Sequence, residues 1–320
     1  MRVLFAGTPG VAVPSLDALV DAGFDVVGVL TREDAPLGRK RIMTPSPVAA
    51  RAAELELPVI RANRIDAAVT EQIAALNTDV AAIVAYGGLV PQPALDIPVY
   101  GWINLHFSLL PAWRGAAPVQ HAVMAGDEIT GASTFRLEAG LDTGPVFGTM
   151  TEAVRPGDTS GDLLERLSQG GAVLLVQTLS AVDAGRAEAV PQAGPITLAP
   201  KLTIDDARVD WAQPALAVRR RINGVTPEPG AWTLLGDQRV KLGPVSLLEQ
   251  RTNAASTDPA STDAVADLAA GVVSLEAGSV IVGTGSGAVV LGEVQPAGKK
   301  KMRAADWARG AGQQGELVFS

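Results

Sequence analysis

Val80-Ala81-Ala82-Ile83-Val84-Ala85 is a continuous apolar run, the pattern of a central strand over 80–85 buried on both faces. Such a strand needs helices above and below it, and the flanking sequence supplies them. Val3–Ala6, Val26–Thr31 and Trp102–Leu105 read as further strands, with Val11–Ala22, Pro47–Leu55 and Ala67–Leu76 as connecting helices. Alternation of this kind predicts an α/β domain built on a parallel sheet with right-handed crossovers. Ligands bind such a sheet beyond the carboxyl ends of its strands. The turn Gly7-Thr8-Pro9-Gly10 lacks the third glycine of a dinucleotide fingerprint and carries proline where an amide donor would help, so it reads as a tight strand-to-helix turn.

Further along, a helix over 160–184 is expected to close the first domain, and residues 190–204, interrupted by Pro191, Pro195 and Pro200, read as a linker. Beyond it, Ala207–Trp211 opens a region of short strands divided by glycine and proline, including 231–235, 239–242, 279–282 and 288–291, which predicts a small β-barrel. Residues 251–270, rich in Ala, Ser, Thr and Asp, read as a mobile loop. The predicted domains are therefore 1–189 and 205–320 on either side of the linker, an organisation that 320 residues can support with a core in each.

No apolar run reaches the ~20 residues that cross a bilayer, and the start Met1-Arg2-Val3-Leu4-Phe5-Ala6-Gly7 is a strand entering a turn rather than a signal peptide, so export is not expected. The absence of cysteine excludes disulfides and thiolate chemistry, and with only His106 and His121 a histidine-rich metal site is excluded too, leaving a metal-free mechanism as the expectation. The net charge of −8 belongs wholly to residues 1–200, which carry 13 Lys+Arg against 21 Asp+Glu, whereas 201–320 carry 13 of each. Basic clusters at Arg39-Lys40-Arg41, Arg219-Arg220-Arg221 and Lys299-Lys300-Lys301 with Arg303 each read, taken alone, as solvated surface.

Chemistry concentrates in Ile103-Asn104-Leu105-His106-Phe107-Ser108-Leu109-Leu110-Pro111. Strand periodicity sends Asn104 and His106 to one face, setting an amide donor beside an imidazole. That pair suits a carbonyl reaction, in which an N–H stabilises a developing oxyanion and an imidazole moves protons. It serves equally as a satisfied polar strand end. In Leu137-Glu138-Ala139-Gly140-Leu141-Asp142-Thr143-Gly144-Pro145 a glycine-bracketed turn can present Asp142 to a cleft, where it would orient His106; an Asx turn is the alternative.

These residues carry a resemblance. Asn104-x-His106-x-Ser108-Leu109-Leu110-Pro111, then Trp113-Arg114-Gly115-Ala116-Ala117-Pro118, Gly126-Asp127 and the Gly140-Leu141-Asp142-Thr143-Gly144 turn, resemble the catalytic core of the folate-dependent formyltransferases. Phe5-Ala6-Gly7-Thr8-Pro9, the stretch from Lys201-Leu202 to Arg208-Val209-Asp210-Trp211, and Gln295-Pro296-Ala297-Gly298-Lys299-Lys300-x-Met302 are similar to the branch that acts on methionyl-tRNA. The resemblance covers nearly the whole chain.

It implies a Rossmann-like formyl-transfer domain followed by an OB-like barrel, 10-formyltetrahydrofolate as donor, initiator methionyl-tRNA as acceptor, and a metal-free monomer in the cytoplasm. Asn104, His106 and Asp142 become the catalytic trio. Asn104 and His106 would donate hydrogen bonds to the formyl oxygen, and Asp142 would orient His106 directly or through water. Ser108, Leu109, Leu110 and Pro111 become the folate loop, with Tyr86 and Gly87 in the segment lining the pterin pocket. Arg39, Lys40 and Arg41 match the insertion that meets the tRNA acceptor end, and Lys299, Lys300 and Lys301 would add phosphate contacts. Phe107 stands where the family often has glycine, and Glu228 where relatives often carry an aromatic residue. A formyltransferase acting on a sugar-nucleotide amine or a glycinamide ribotide, and a hydrolase passing the formyl group to water, are the rival readings. The glycinamide enzyme would not need residues beyond about Pro200.

Overall fold

The computed structural model describes residues 1–38, 40–248, 268–311 and 317–320. Contacts divide the chain into two compact units: Met1–Pro118 with Ile129–Ala153 and Leu164–Pro200, and Val119–Glu128 with Val154–Leu163 and Lys201–Ser320.

In the first unit the strands are β1 (Arg2–Gly7), β2 (Asp25–Thr31), a small hairpin of β3 (Ala35–Leu37) and β4 (Ile42–Thr44), β5 (Val59–Arg61), β6 (Val80–Val84), β7 (Trp102–His106), β8 (Ile129–Arg136) and β9 (Val146–Ala153). Among the described residues, seven of them form one sheet in the order β5-β2-β1-β6-β7-β8-β9. Every residue of β6 is buried, as its unbroken apolar sequence predicts. The strand stops at Val84 because Ala85 turns into the left-handed region, with φ 50°.

Helices α1 (Val13–Asp21), α2 (Pro47–Glu54) and α3 (Ala67–Ala75) occupy the expected crossovers. Their starts are written locally. Ser46 Oγ accepts from the Ala49 amide at 3.0 Å and Asp66 Oδ1 from the Val69 amide at 3.0 Å, satisfying donors that a helix start leaves free, while Pro14 and Pro47 occupy first-turn positions where no amide hydrogen is needed. Helix α1 begins two residues later than 11–22 implies because a 3-10 turn at Gly10–Ala12 precedes it. Gly28 lets α3 approach: a Cβ there would lie 2.8 Å from Leu76 Cδ1.

The sheet is mixed rather than wholly parallel. β5, β2, β1, β6 and β7 run parallel, but β7 pairs antiparallel with β8, and β8 with β9. Strand β8 eludes a hydrophobicity reading because its buried positions include Thr130, Ser133 and Thr134. Thr134 meets Thr178 of α6 (Ser160–Asp183) hydroxyl to hydroxyl at 2.8 Å, which is how such a strand tolerates burial. Short helices α4 (Gln92–Leu95) and α5 (Pro118–Ala125) flank β7 in sequence.

The second unit contains α7 (Ala215–Gly224), α8 (Ala304–Ala311) and nine short strands among the described residues. They are β10 (Trp232–Leu235), β11 (Gln238–Leu242), β12 (Val245–Leu247), β13 (Val272–Glu276), β14 (Ser279–Gly283), β15 (Ala288–Leu291), β16 (Glu293–Pro296), β17 (Met302–Arg303) and β18 (Leu317–Val318). They pair antiparallel as two sheets, β10-β11-β16-β17 and β12-β15-β14-β13-β18, around a core in which Trp211 and Trp307 each stack on Phe319 at 5.5 Å. Most of the predicted loop at 251–270 lies outside the described residues.

Asn223 ties α7 to β12. It is 2% exposed, its Oδ1 accepts from the Val245 amide at 3.0 Å and its Nδ2 donates to the Val245 carbonyl at 3.3 Å. Removing that carboxamide strands both backbone groups, so Asn223→Ala is expected to cost about 2–3 kcal/mol in denaturant unfolding. A loss under about 0.5 kcal/mol, the size of a neutral surface change, would speak against this tie.

Candidate active site

β7 runs parallel to β6 and delivers His106 as its last residue, so Asn104 and His106 leave the same face at the carboxyl end of the parallel strands. His106 is 7% exposed and stands edge-on to Phe135 of β8, ring centres 6.3 Å apart. Its Nε2 donates to the Trp113 carbonyl at 2.9 Å. Asp142 comes in from the turn between β8 and β9, with Oδ2 3.8 Å from His106 Nδ1. The same carboxylate oxygen accepts the Gly115 amide at 2.8 Å. The sequence-predicted pair from two distant stretches is thus brought together.

A carbonyl only accepts hydrogen bonds, so Nε2 holds the ring hydrogen and the neutral imidazole turns its Nδ1 lone pair toward Asp142. At 3.8 Å there is no direct hydrogen bond between them. The arrangement is that of a base: a proton arriving at Nδ1 finds a carboxylate waiting. Burial pushes the His106 pKa below the ordinary 6.5, opposed by the Asp142 charge and by the bond to Trp113, so the ring is neutral at pH 7. The expectation that His106 offers an N–H to the formyl oxygen does not fit this geometry, because its single N–H is held by Trp113. Nitrogen-15 NMR of histidine-labelled protein, assigned with His121→Gln, should show hydrogen on Nε2 and none on Nδ1 at pH 7. A hydrogen on Nδ1 would contradict the assignment.

Asn104 is half-buried, and among the described residues its carboxamide has no hydrogen-bond partner. An unpaired amide donor next to a neutral base is unusual for a merely structural strand end, which would close such groups on each other.

Around this pair Ser133 organises the next loop. Its Oγ donates to the Ser108 carbonyl at 2.7 Å and accepts the Leu110 amide at 3.1 Å, while Ser108 Oγ donates to the Ala112 carbonyl at 2.6 Å. Leu109 and Leu110 thereby present half-buried apolar side chains, and Pro111 is buried. Gly87, at φ 79°, follows the left-handed Ala85, and its carbonyl accepts from Arg32 Nη1 at 3.1 Å. Tyr86 differs from the expectation: its ring is 1% exposed in the core, its hydroxyl donates to the Ala62 carbonyl at 2.7 Å, and its own carbonyl accepts from Thr8. Burial pushes its pKa up. The Tyr86 side chain is a core residue.

The basic residues stand apart from this cluster in the sequence. Arg39 lies outside the described residues, and Lys40 and Arg41 are exposed between β3 and β4. Lys299, Lys300 and Lys301 are exposed after β16, and Lys301 Nζ pairs with Glu293 at 2.5 Å. Among the described residues there is no group of three or more His, Asp or Glu placed to hold a metal, and no helix long and apolar enough to cross a membrane. Residue-type reasoning missed Trp113 as the holder of the imidazole, Gly115 as the holder of the carboxylate, and Ser133. The first two act through backbone atoms, which leave no side-chain signature.

A free amide donor beside a neutral, carboxylate-backed imidazole is equipped for acyl transfer to nitrogen, and the chain's relatives define that class. Residues 1–179 match the family described as formyl transferase, and residues 201–312 match the formyl transferase C-terminal domain. The methionyl-tRNA formyltransferase of Arthrobacter sp. (strain FB24) is 69% identical over 310 residues, covering 97% of each chain. That of Paenarthrobacter aurescens (strain TC1) is 66% identical over 319 residues, covering 100% of each. The chain belongs to the methionyl-tRNA formyltransferase family. Its fold is shared with the crystal structure of WlaRD, a sugar 3N-formyl transferase, with a TM-score of 0.67 at 12% identity over 94% of this chain and 99% of that one.

Proposed function

We propose that the chain transfers the formyl group of 10-formyltetrahydrofolate to the α-amine of the methionine on initiator tRNA, as a monomeric, cytoplasmic, metal-free enzyme of translation initiation. The observation that carries this reading is the 66% identity, over the full length of both chains, with a methionyl-tRNA formyltransferase, together with the match to both family domains. Full-length matching favours it over a glycinamide ribotide acceptor, which would leave residues 201–312 without a purpose.

For the donor, the relevant observation is the Ser133-clamped loop, whose half-buried Leu109 and Leu110 offer apolar surface at the same sheet end as Asn104. That suits a flat, partly apolar ring system, and the solved sugar formyl transferase is described in the presence of 5-N-formyl-THF. Ser108, Leu109, Leu110, Pro111 and the Gly87 backbone would hold it. When bound, the donor supplies a formyl carbon already attached to nitrogen and open to attack. Asn104 then donates its carboxamide N–H to the formyl oxygen as negative charge gathers there. His106 accepts at Nδ1 the proton that the attacking amine loses on forming its new bond to carbon. Asp142 stabilises the imidazolium, and His106 returns the proton to the folate nitrogen as the old carbon–nitrogen bond breaks. No covalent bond to the protein is required.

Lys40 and Arg41 from the exposed hairpin, Arg39 before them in the sequence, and Lys299 and Lys300 are proposed to meet tRNA phosphates, with Lys301 already shared with Glu293. Incubation with formyl-labelled donor and either initiator or elongator methionyl-tRNA tests the reading. Label is expected as an amide on the initiator's methionine and far more slowly on the elongator's. Label appearing only as free formate, whichever tRNA is present, would overturn it.

A further inference from the structure

Both backbone points that hold the His106–Asp142 pair are left-handed without being glycine: Trp113 has φ 57° and Asp142 has φ 50°. Left-handed backbone is unfavourable for a residue that carries a Cβ, tryptophan above all, and persists where neighbours enforce it. The same neighbour reaches both. Residues 192–199, in the proline-rich stretch after α6, run beside residues 113–117. The Arg114 amide donates to the Thr197 carbonyl at 3.0 Å, the Ala199 amide to the Arg114 carbonyl at 2.8 Å, and the Ala117 amide to the Ala199 carbonyl at 3.1 Å. From this strap Thr197 Oγ1 accepts the Trp113 amide at 2.8 Å. Gln192 Nε2 donates to the Asp142 and Gly144 carbonyls, each at 2.8 Å, and its Oε1 accepts Arg114 Nε at 3.1 Å and Nη2 at 2.6 Å.

A single side chain therefore has every hydrogen-bonding valence of its amide spent on the Asp142 turn and on the residue next to Trp113. Gly115 fits the same close approach: with φ 128° it passes so near the strap that a Cβ would lie 2.6 Å from the Ala199 carbonyl oxygen.

We propose that Gln192 and Thr197 are positioning residues for the reaction, holding the two strained loops so that Asp142 stays beside Nδ1 of His106 while Trp113 keeps Nε2. Neither touches the reacting atoms; they act through Asp142 and Trp113. The inference rests on the proposed formyl transfer for its kinetic consequences, but its geometric core can be read without turnover.

The test uses the full chain with Gln192→Ala, Gln192→Glu, Thr197→Val and Thr197→Ser. Asp142 is the charged group that bears on His106 and raises its proton affinity, with Phe135 and the Trp113 carbonyl as uncharged neighbours. Loosening Asp142 should move the NMR titration of His106 to lower pH by about half a unit in Gln192→Ala. Gln192→Glu keeps the acceptor for Arg114 but loses both N–H donors, and should behave like Ala. In steady-state assays kcat should fall about ten- to hundredfold with KM for either substrate little changed, the signature of misplaced groups rather than lost binding. Thr197→Ser retains the hydroxyl and should restore what Thr197→Val loses. An unshifted His106 titration in both Gln192 variants overturns the proposal, as does a Thr197→Val defect that Ser fails to relieve. If the titration shifts as expected but no variant, nor the unaltered chain, transfers formyl, the positioning role stands and the functional reading falls.

Discussion

His106→Ala is expected to slow single-turnover formyl transfer by about a hundredfold or more. The attacking amine must shed a proton as its bond to the formyl carbon forms, and Nδ1 is the site that geometry leaves open, 3.8 Å from Asp142 and opposite the nitrogen tied to Trp113. Because burial holds the His106 pKa under 6.5, the base is ready at neutral pH, and the acid limb of kcat/KM should lie below that value. Asp142→Asn removes the charge that raises the pKa, so it should carry the acid limb lower still and reduce the rate at the plateau.

Stability follows the same linkage with a defined sign. A histidine whose pKa is depressed by folding binds its proton more readily in the unfolded chain, so its contribution favours the folded state above pH 6.5 and diminishes as pH falls below it. Wild type should lose more thermal stability than His106→Ala between pH 7 and pH 5. Near-normal transfer by a folded His106→Ala protein would remove this residue from the mechanism.

Asn104→Ala is expected to lower the rate constant by about a hundred- to a thousandfold with little change in donor binding, since the proposed role of the lost N–H is to act on charge that develops only in the transition state. Asn104→Asp should be worse, because it exchanges a donor for a negative charge facing the developing oxyanion. The carboxamide is half-buried and without a partner among the described residues, so its removal should not destabilise the fold, and equal unfolding midpoints for wild type and variant separate the chemical effect from a structural one. A loss confined to KM would mean that Asn104 only binds.

Much of the first unit was legible in the chain because its signals are local. Continuous apolar runs such as 80–84 announce central strands, and the helices expected at 47–55 and 67–76 start on the caps Ser46 and Asp66 that the structure contains. What escaped were the elements whose burial is decided by partners far away in sequence. Strand β8 carries Thr130, Ser133 and Thr134 inside the protein, a pattern that reads as polar until Thr178 arrives from α6 to share a hydrogen bond. The mixed direction of the sheet follows from that missed strand and its neighbour β9.

The site was legible to a similar degree. Period-two spacing placed Asn104 with His106, and the family motif supplied Asp142, but neither could give the tautomer, which is dictated by the Trp113 carbonyl. Tyr86 shows what a motif leaves out: the resemblance implied that its segment lines the pterin pocket, whereas its ring is buried in the core with its hydroxyl on the Ala62 carbonyl. Gln192 had no signal at all, since it sits alone in a stretch whose prolines read only as a linker.

One measurement bears on the whole mechanism at once: a single turnover of isotopically formyl-labelled 10-formyltetrahydrofolate with initiator methionyl-tRNA, run side by side on wild type and on a folded Asn104→Ala/His106→Ala double variant. The label is predicted on the methionine nitrogen with wild type and almost none of it there with the double variant over the same time. Labelling at an undiminished rate by the double variant would contradict the placement of the chemistry at the end of β7.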